Sequence, residues 1–448
     1  MAEILRSVGL DVGTTSTQLI FSELTVENRA GSFSVPEMEI GNRKILYKSP
    51  VHFTPLTGTD RVDGEAIRKL IEKEYAAAGI RRETVDTGAV IITGETSRRE
   101  NAETVLRELS GFAGDFVVAT AGPDLESVLA ARGAGAVACS AEIEKTVLHM
   151  DIGGGTANLA LIQNGRILRT GCLNVGGRLI KFDSQQHITY LSPVLSLLCD
   201  LQPGDLVTAD NLQPVARLLT QALEEAAGLR EQSWLLSALT TPGTSFPPPD
   251  EPVVLSFSGG VADCIEQALP WNTFGDMGPT LGQCIRGSRL CENYVLGAET
   301  IRATVIGAGC HSAQLSGSTV FHRNISFPLQ NLPVLNVPAD DFTDFLRGEI
   351  PRQETVPVLA LPACSQAYSC LRDLAEKLAA ADLPDPIILC MEQDMAKALG
   401  QLLALRLPSH RAILCIDRVR LTEGSYLDVG APIGPALPVV VKTIVFTR

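Results

Sequence analysis

Two short stretches of the sequence share one pattern of acidic, glycine and hydroxyl residues. Residues 10–21 read LDVGTTSTQLIF and residues 150–161 read MDIGGGTANLAL. In each, an apolar run ends in an Asp, and a loop of small residues begins two positions later. Such a loop can bind phosphate, because no bulky side chain keeps phosphate oxygens away from its backbone N–H groups. The pattern therefore predicts two phosphate-binding loops, which begin at Asp11 and Asp151.

The predicted phosphate ligands are backbone N–H groups and hydroxyls of the two loops. These residues are Gly13, Thr14, Thr15, Gly153, Gly154, Gly155 and Thr156. A carboxylate that faces phosphate is repelled unless a cation lies between them, and hydrated Mg²⁺ is suited to that place. We therefore predict that Asp11 and Asp151 are catalytic residues on the metal side of the site. One such loop is weak evidence, because turns after strands often carry Asp and Gly, whereas two copies are far more specific.

A third glycine-containing turn follows later in the chain. Residues 256–262 read SFSGGVA and place Gly259 and Gly260 between a predicted strand and a predicted helix. A tight strand-to-helix turn would explain the two glycines by itself. Because the turn follows the two loops, its side-chain-free backbone can also lie flat against an adenine or a ribose. We therefore predict that Gly259 and Gly260 bind the nucleoside part of a nucleotide.

The elements predicted around these turns indicate an α/β protein. Apolar runs on both sides of each loop predict a strand, a tight loop and a second strand. After the second copy, Asn164-Gly165 favours a two-residue type I′ hairpin turn. Other predicted features are a helix over 64–78, a strand over 89–93, a helix over about 98–109, and small-residue runs over 122–136 and 305–309. Such runs permit the close approach of another backbone.

The character of the sequence changes at a proline-rich break over 242–252 and again from about residue 317. In the last stretch, the predicted elements are helices over 366–380 and 393–405 and strands over 386–390, 412–416 and 438–446. They predict an additional C-terminal α/β subdomain. The sequence accordingly divides into a first lobe, a second lobe and this extension, with the predicted bounds 1–146, 147–315 and 316–448.

Composition and charge argue against several other classes of protein. The chain has 448 residues, 45% of them hydrophobic and 20% charged, which indicates a folded protein of about two or three domains. Its formal net charge of −14 provides no positive field for nucleic acid or anionic lipid. Neither a signal peptide nor an apolar run of about 20 residues is evident, and the 11 cysteines include no C-x-x-C pair. We expect a cytoplasmic protein without nucleic-acid or membrane partners.

The ordered set of loops and runs resembles the five sequence elements of the actin, sugar-kinase and heat-shock-chaperone ATPase superfamily. The Asp11 loop resembles phosphate 1, residues 122–136 connect 1, the Asp151 loop phosphate 2, Gly259-Gly260 the adenosine element and residues 305–309 connect 2. The resemblance covers the chain up to about residue 312. It implies two ribonuclease-H-like lobes of the actin-like ATPase fold, with ATP and Mg²⁺ in the cleft and a hinge motion that couples nucleotide state to partner binding.

Longer segments resemble the family of ethanolamine ammonia-lyase reactivating factors over the whole length. These segments are LDVGTTSTQL, GPDLESVLAARGAGA, HMDIGGGTANLAL, LSFSGGVADCI and RVRLTEGSYLDVGAPIGPALPVVVKTIVF. The resemblance implies an ATP-dependent, chaperone-like factor with slow ATP hydrolysis, which releases damaged cobalamin from the lyase so that intact adenosylcobalamin rebinds. It also implies a role in bacterial ethanolamine utilisation, with a bacterial microcompartment as a location to consider. The oligomeric state stays open, a homodimer included.

Glu126 is the third predicted catalytic residue. Relatives in the superfamily often carry an acidic residue near connect 1, so Glu126 is a candidate to orient the attacking water. The helix dipole alone also favours a Glu in the first turn of a helix, and that alternative stays open. The lysine that some relatives use after phosphate 1 is not expected, since no Lys occurs from Asp11 through residue 43.

Two other functions are compatible with the same fold. A small-molecule kinase would use an acidic base to deprotonate an acceptor hydroxyl, and it would phosphorylate an added sugar or acid. A filament-forming scaffold would sediment in a nucleotide-dependent way and usually carries an amphipathic membrane-binding tail. The C-terminal sequence VVVKTIVFTR is short and strand-like, which argues against such a tail. The kinase is therefore the main alternative to the reactivating factor.

Overall fold

The computed structural model describes most of the chain. The described residues are 3–13, 16–28, 38–57, 61–92, 105, 109, 117–120, 123–311, 314–316, 319–338, 345, 356–363, 365, 367–381, 383–419, 421, 425–432 and 436–443. The strands are β1 Glu3–Val12, β2 Ser16–Asn28, β3 Met38–Lys48, β4 His52–Phe53, β5 Leu56–Thr57, β6 Arg61–Val62, β7 Thr87–Ile92, β8 Val117–Thr120, β9 Val147–Ile152, β10 Ala157–Gln163, β11 Arg166–Leu173, β12 Ile180–Phe182, β13 Ile188–Leu191, β14 Val254–Ser258, β15 Tyr294–Leu296, β16 Gln314–Leu315, β17 Phe321–Arg323, β18 Leu329–Asn336, β19 Val358–Ala360, β20 Ile387–Met391, β21 Ile413–Asp417, β22 Ser425–Val429 and β23 Pro438–Thr443. The helices are α1 Gly64–Ala78, α2 Pro123–Gly133, α3 Ala136–Ile143, α4 Ala209–Ala226, α5 Trp234–Leu239, α6 Gly260–Glu266, α7 Gly278–Arg286, α8 Ala303–His311, α9 Tyr368–Ala380 and α10 Ala396–Arg406.

Two sheets of the chain have the same topology. The first has the strand order β3-β2-β1-β7-β8 and the second the order β11-β10-β9-β14-β15. In both, the first three strands in chain order pair antiparallel, and the first strand then pairs in parallel with the fourth, which pairs in parallel with the fifth. The repeated order and directions confirm the two predicted ribonuclease-H-like lobes and the actin-like ATPase fold.

Strands β9 and β14 lie next to each other inside the second sheet and are completely buried. All six residues of β9 and all five of β14 are buried, as expected for strands covered on both faces. Both strands nevertheless carry polar side chains: His149 and Asp151 on β9, and Ser256 and Ser258 on β14. Because buried polar groups are unfavourable unless they are hydrogen-bonded, these four residues need one another or a ligand.

The two predicted small-residue runs form helices that cross between the sheets. Helix α2 packs against β10 and β11 of the second sheet, whereas α8 packs against β1 of the first. At their crossing, a Cβ built on Gly133 would lie 1.9 Å from the carbonyl oxygen of Ala303, and one on Gly307 would lie 2.0 Å from that of Leu129. Only glycine permits this approach. The two helices therefore connect the lobes through backbone contact, as the sequence predicts.

The C-terminal residues form the predicted additional α/β subdomain. Its sheet has the order β16-β23-β22-β18-β19-β20-β21-β17, and the four neighbours from β18 to β21 run parallel. Helices α9 and α10 cover one face of this sheet and share its apolar core. Strand β23 pairs with the edge strand β16, which lies immediately before the predicted start of the subdomain at residue 316.

Local signals of the sequence agree with several element ends. Helix α1 has the predicted bounds, because the side chain of Asp63 accepts a hydrogen bond from the N–H of Ala66 and Gly79 ends the helix at a φ of 66°. Asn164 and Gly165 have φ values of 49° and 74°, as a type I′ turn requires.

Most of the predicted helix over 98–109 and the end of the predicted strand over 438–446 lie outside the described residues. In the part of the chain that is described, no helix is both long and apolar enough to cross a bilayer.

Candidate functional site

The two predicted loops have the same backbone geometry. The N–H of Gly13 donates to the carbonyl oxygen of Ser16 at 2.8 Å, and the N–H of Gly153 donates to that of Thr156 at 2.9 Å. Each loop therefore closes a hairpin after three residues. Thr14 and Thr15, two of the predicted ligands, lie outside the described residues.

The strand register extends this correspondence to the residues beside the loops. Asp11 is paired with Gln18 across β1 and β2, and Asp151 is paired with Asn158 across β9 and β10. Each Asp thus faces an amide residue at the end of its hairpin. The two halves of the site are equivalent in sequence position and in structure.

The structure brings the predicted residues together in one cleft between the lobes. Those that it describes and that line this cleft are Asp11, Gly13, Glu126, Asp151, Gly153, Gly154, Gly155, Thr156, Gly259 and Gly260. Glu126 lines the cleft from the first turn of α2. This position suits both a residue that orients the attacking water and a Glu that the helix dipole favours. The proximity of these residues is a structural result, and their roles remain predictions.

Some glycines of the cleft are required by the fold, whereas others have no structural reason to be glycine. Gly259 has a φ of 84°, and a Cβ there would lie 2.3 Å from the carbonyl oxygen of Ile152, so the fold itself demands glycine. A Cβ on Gly153 would approach nothing closer than 3.6 Å, and one on Gly155 would meet no atom within 4 Å. Neither of these two residues has a positive φ. Packing and conformation therefore do not explain Gly153 and Gly155, whereas a ligand that approaches the backbone of the loop closely would.

Asp151 is held in a fixed orientation from two other elements. The hydroxyl of Ser258 on β14 donates to Oδ1 at 2.5 Å, and the hydroxyl of Thr304 on α8 donates to Oδ2 at 3.3 Å. The residue is only 6% exposed. Burial raises the pKa of Asp151 above its ordinary value, and the two hydroxyls act in the opposite direction. A nearby cation would favour the ionised carboxylate.

Behind Asp151 lies a buried histidine that orients Ser258. Nε2 of His149 lies 2.9 Å from the hydroxyl of Ser258, and Nδ1 lies 3.0 Å from that of Ser256. Because the Ser258 hydroxyl donates to Asp151, its oxygen accepts from Nε2–H, and Nδ1 accepts from Ser256. Burial lowers the pKa of His149 to about 3, so the ring is neutral. A chain of hydrogen bonds therefore runs from Ser256 through His149 and Ser258 to Asp151.

Substitution of His149 tests this buried chain. We expect His149→Leu to lower the free energy of unfolding by about 2–6 kcal/mol, because two buried hydroxyls lose a partner at about 1–3 kcal/mol each. His149→Gln, which can donate and accept, should lose less. The measurement is urea unfolding, with His410→Leu at an exposed position as a control that should change by less than about 0.5 kcal/mol. Equal effects of the two leucine variants would contradict the hydrogen-bonded chain.

A segment that sequence reasoning missed covers the second loop. The N–H of Gly177 donates to the carbonyl oxygen of Gly153 at 3.0 Å, and the N–H of Arg178 donates to that of Gly154 at 2.7 Å. A Cβ on Gly176 would lie only 2.3 Å from the latter oxygen. The glycine pair before Arg178 was a signal in the sequence, since paired glycines after a strand often mark close backbone approach.

Arg178 reaches into the cleft beside a second missed residue, Asp276. Nε of Arg178 donates to Oδ2 of Asp276 at 3.0 Å, and the N–H of Gly278 donates to Oδ1 at 2.9 Å. Burial raises the pKa of Asp276, while the Gly278 N–H and Arg178 act in the opposite direction. No local sequence motif predicts this ion pair, because Arg178 and Asp276 come together only in the folded chain.

The residues of the cleft fit a hydrated Mg²⁺. Acidic side chains outnumber basic ones among its described lining residues, so a polyphosphate needs additional positive charge to bind there. Gln18 Oε1 and Asn158 Oδ1 are buried side-chain oxygens that have no hydrogen-bond partner among the described residues, and both residues line the cleft. No group of three or more His, Cys, Asp or Glu among the described residues can hold a metal directly. Oxygen atoms placed to bind through water are suited to Mg²⁺.

The family model and the most similar curated relatives in the comparison point to the same family. The family model described as ethanolamine utilisation protein EutA matches residues 3–447. The ethanolamine ammonia-lyase reactivase EutA of Salmonella typhimurium (strain LT2) is 40% identical over 473 residues, covering 99% of this chain and 98% of that protein. The reactivase EutA of Escherichia coli (strain K12) is 38% identical over 470 residues with the same coverage. The solved structure of EutJ from Carboxydothermus hydrogenoformans covers 68% of this chain and 88% of its own, at 16% identity and a TM-score of 0.34.

Proposed function

Because the chain belongs to the family of the ethanolamine utilisation protein EutA, we propose that it is an ATP-dependent, chaperone-like reactivating factor for adenosylcobalamin-dependent ethanolamine ammonia-lyase. It releases damaged cobalamin from the lyase, so that intact coenzyme rebinds. The full-length similarity to two reactivases supports the partner. The paired loops that face one cleft support the nucleotide, and they are the observation on which the ATPase part depends.

The two loops bind the phosphates of ATP in this proposal. The N–H of Gly155 donates to a phosphate oxygen, and Gly153, whose own N–H closes the hairpin, lets phosphate approach because it has no side chain. Among the described residues, no atom lies closer than 3.6 Å to a Cβ built on either glycine. Gly13 has the equivalent place in the first loop, whose Thr14 and Thr15 remain proposed ligands. Gly260 leaves room for the nucleoside where α6 begins, because a Cβ there would meet its nearest described atom only at 3.9 Å. Gly259, which the fold itself requires, is the second proposed contact of the nucleoside.

Asp11 and Asp151 provide the negative charge on the metal side of the site. Mg²⁺, when bound, would supply the positive charge that neutralises the phosphates beside these carboxylates. Ser258 and Thr304 keep Asp151 in one orientation, and the amide oxygens of Gln18 and Asn158 would accept hydrogen bonds from the water shell of the ion. Glu126 orients the water that attacks the terminal phosphate. The described groups therefore act by positioning and by electrostatic stabilisation.

The crossing of α2 and α8 couples the cleft to the rest of the molecule. Thr304 of α8 contacts Asp151 of the second lobe, while its neighbour Val305 touches Gly9 of the first lobe. A change of nucleotide at the loops can therefore shift the angle between the lobes. A ligand shifts an equilibrium only by its differential affinity for the two states, so ATP and ADP forms that bind the lyase differently would drive the release of the damaged cofactor.

A reactivation assay tests the function directly. Ethanolamine ammonia-lyase blocked with cyanocobalamin is mixed with the purified chain, ATP, Mg²⁺ and fresh adenosylcobalamin. We expect ethanolamine deamination to recover with all components and to stay absent without ATP. A failure to recover deamination while ATP is hydrolysed would remove the reactivating function and leave the ATPase site in place.

Two finer parts of the prediction belong to the same proposal. The chain would act in the cytoplasm, with a bacterial microcompartment as a further location, and would work as a homodimer or a monomer. Separation of the reactivation mixture by gel filtration, with and without ATP, tests the oligomeric state and detects the complex with the lyase. The kinase alternative predicts instead that an added sugar or acid becomes phosphorylated.

A further inference from the structure

Arg178 stands out by charge among the residues of the cleft. Among the lining residues that the structure describes, it is the one basic side chain, and it lines the same cleft as the acidic residues Asp11, Glu126, Asp151 and Asp263. Its backbone N–H donates to the carbonyl oxygen of Gly154 at 2.7 Å. The backbone of Arg178 is therefore hydrogen-bonded to the second loop.

Asp276 anchors one edge of the Arg178 guanidinium. Nε donates to Oδ2 of Asp276, and the other carboxylate oxygen accepts from the N–H of Gly278, so Asp276 cannot turn away. Asp276 is only 5% exposed, whereas the side chain of Arg178 keeps an exposure of 29%. A buried ion pair is weak evidence for stability, since desolvation offsets the attraction. Orientation of the guanidinium is the better explanation for this pair.

The other edge of the guanidinium is available to a ligand. Neither terminal nitrogen of Arg178 donates to a protein acceptor within the part of the chain that the structure describes, and neither is a buried orphan. Guanidinium groups bind phosphate through two parallel N–H donors. With Nε bonded to Asp276, the two terminal nitrogens remain as donors for a ligand in the cleft that Arg178 lines.

We propose that Arg178 is a catalytic residue that binds the terminal phosphate of ATP, with Asp276 as its positioning residue. This inference rests on the proposed ATPase function. In the step concerned, water adds to the γ-phosphorus, the bond from that phosphorus to the β–γ bridging oxygen breaks, and this oxygen leaves on ADP with the electron pair. The products are ADP, hydrogen phosphate and one proton. Arg178 stabilises the negative charge on the γ-phosphate oxygens during this transfer.

The test compares affinities for nucleotides that differ in one phosphate. Binding of Mg²⁺ with a non-hydrolysable ATP analogue and with ADP is measured by calorimetry for the full chain, Arg178→Ala and Arg178→Lys. We expect Arg178→Ala to lower the affinity for the ATP analogue by about 10- to 100-fold, as for loss of a charge-assisted hydrogen bond. Its affinity for ADP should fall by less than about threefold. The rate of ATP hydrolysis should fall by about 100-fold or more. Arg166→Ala, at an exposed position of the same lobe, should behave like the unaltered chain.

Chemical rescue separates a contact with phosphate from a structural role. Added guanidinium ions at millimolar concentration should restore hydrolysis by Arg178→Ala, whereas the same concentration of sodium chloride should not. Asp276→Asn, which misorients the guanidinium, should lower kcat more than it raises KM. Arg178→Lys retains the aliphatic part of the side chain and the positive charge. If the alanine variant does not fold, the lysine variant is used to compare the affinities for the ATP analogue and ADP.

Four outcomes separate the assignment of Arg178 from the ATPase function. Equal losses of affinity for the ATP analogue and ADP in both Arg178 variants would overturn the assignment to the terminal phosphate, and so would unchanged affinity for both. Loss of hydrolysis without rescue by guanidinium and without a change in ATP affinity would also overturn it. An unaltered chain that neither binds nor hydrolyses ATP would instead overturn the ATPase function.

Discussion

Replacement of Asp151 by Asn is expected to reduce the rate of ATP hydrolysis by about 100-fold or more, the usual effect of removing one preorganised electrostatic group. Asparagine has the same shape but no charge, so the metal side of the site would lose half of its paired carboxylates. The fold should persist, because the hydroxyls of Ser258 and Thr304 can reorient towards an amide. Since burial disfavours the ionised form of Asp151, the unfolding free energy should stay equal or rise.

The companion variant Asp11→Asn tests whether the two loops act as a pair. We expect a comparable loss of hydrolysis, because Asp11 has the equivalent position in the first hairpin. Steady-state phosphate release is measured over a range of Mg²⁺ concentrations, and near-ultraviolet circular dichroism checks the fold. Asp200→Asn, at an exposed position, serves as the matched control. Hydrolysis at the unaltered rate in both cleft variants would exclude the two-loop site.

The loops could be predicted from the sequence because their geometry is local. An Asp at a strand end, a glycine two residues later and a closing hydrogen bond from that glycine to the residue three positions on lie within six residues of one another. The repetition of this unit after Asp151 then predicted the duplicated lobe. Short-range signals likewise gave helix α1, whose cap residue and terminal glycine are adjacent to it.

The supporting residues of the site could not be predicted in the same way. Ser258 contacts Asp151, and Ser256 contacts His149, only because β14 pairs in parallel with β9 in a register that places these residues opposite each other. Thr304 belongs to a helix that packs mainly on the first sheet. Arg178 and Asp276 are far apart in the chain. Each contact depends on tertiary structure, and no spacing in the sequence records it.

The C-terminal subdomain shows the same limit. Its alternating strands and helices were predicted from apolar runs, and β20, α10 and β21 occur where expected. The order of the sheet was not predicted, because β23 pairs with β16 across more than a hundred residues and such pairing leaves no local pattern. The boundaries at residues 146 and 315 remain predictions, since helices α2 and α8 each pack on the sheet of the other half.

Substitution of Gly133 or Gly307 at the helix crossing is expected to destabilise the fold strongly. Alanine at Gly133 or Gly307 would stabilise the isolated helix by about 0.5–1 kcal/mol. In the folded chain, however, its Cβ would lie 1.9 Å or 2.0 Å from a backbone oxygen of the other helix, a separation that no rotamer change relieves. Overpacking of this kind costs about 1–3 kcal/mol or more. The steric effect therefore wins, and each variant should unfold at a lower temperature.

The same substitutions should impair the cleft, because the crossing sets the distance between the loops. We expect Gly133→Ala to lower both the melting temperature and the affinity for Mg²⁺ with ATP, measured by thermal unfolding and calorimetry. Gly287→Ala is the matched control, since its φ is −85° and its nearest atom would lie at 3.6 Å. Once one methyl has separated the helices, the second has less to displace, so the double variant should lose less than the sum of the two single losses. Strict additivity would mean that Gly133 and Gly307 do not meet at one crossing.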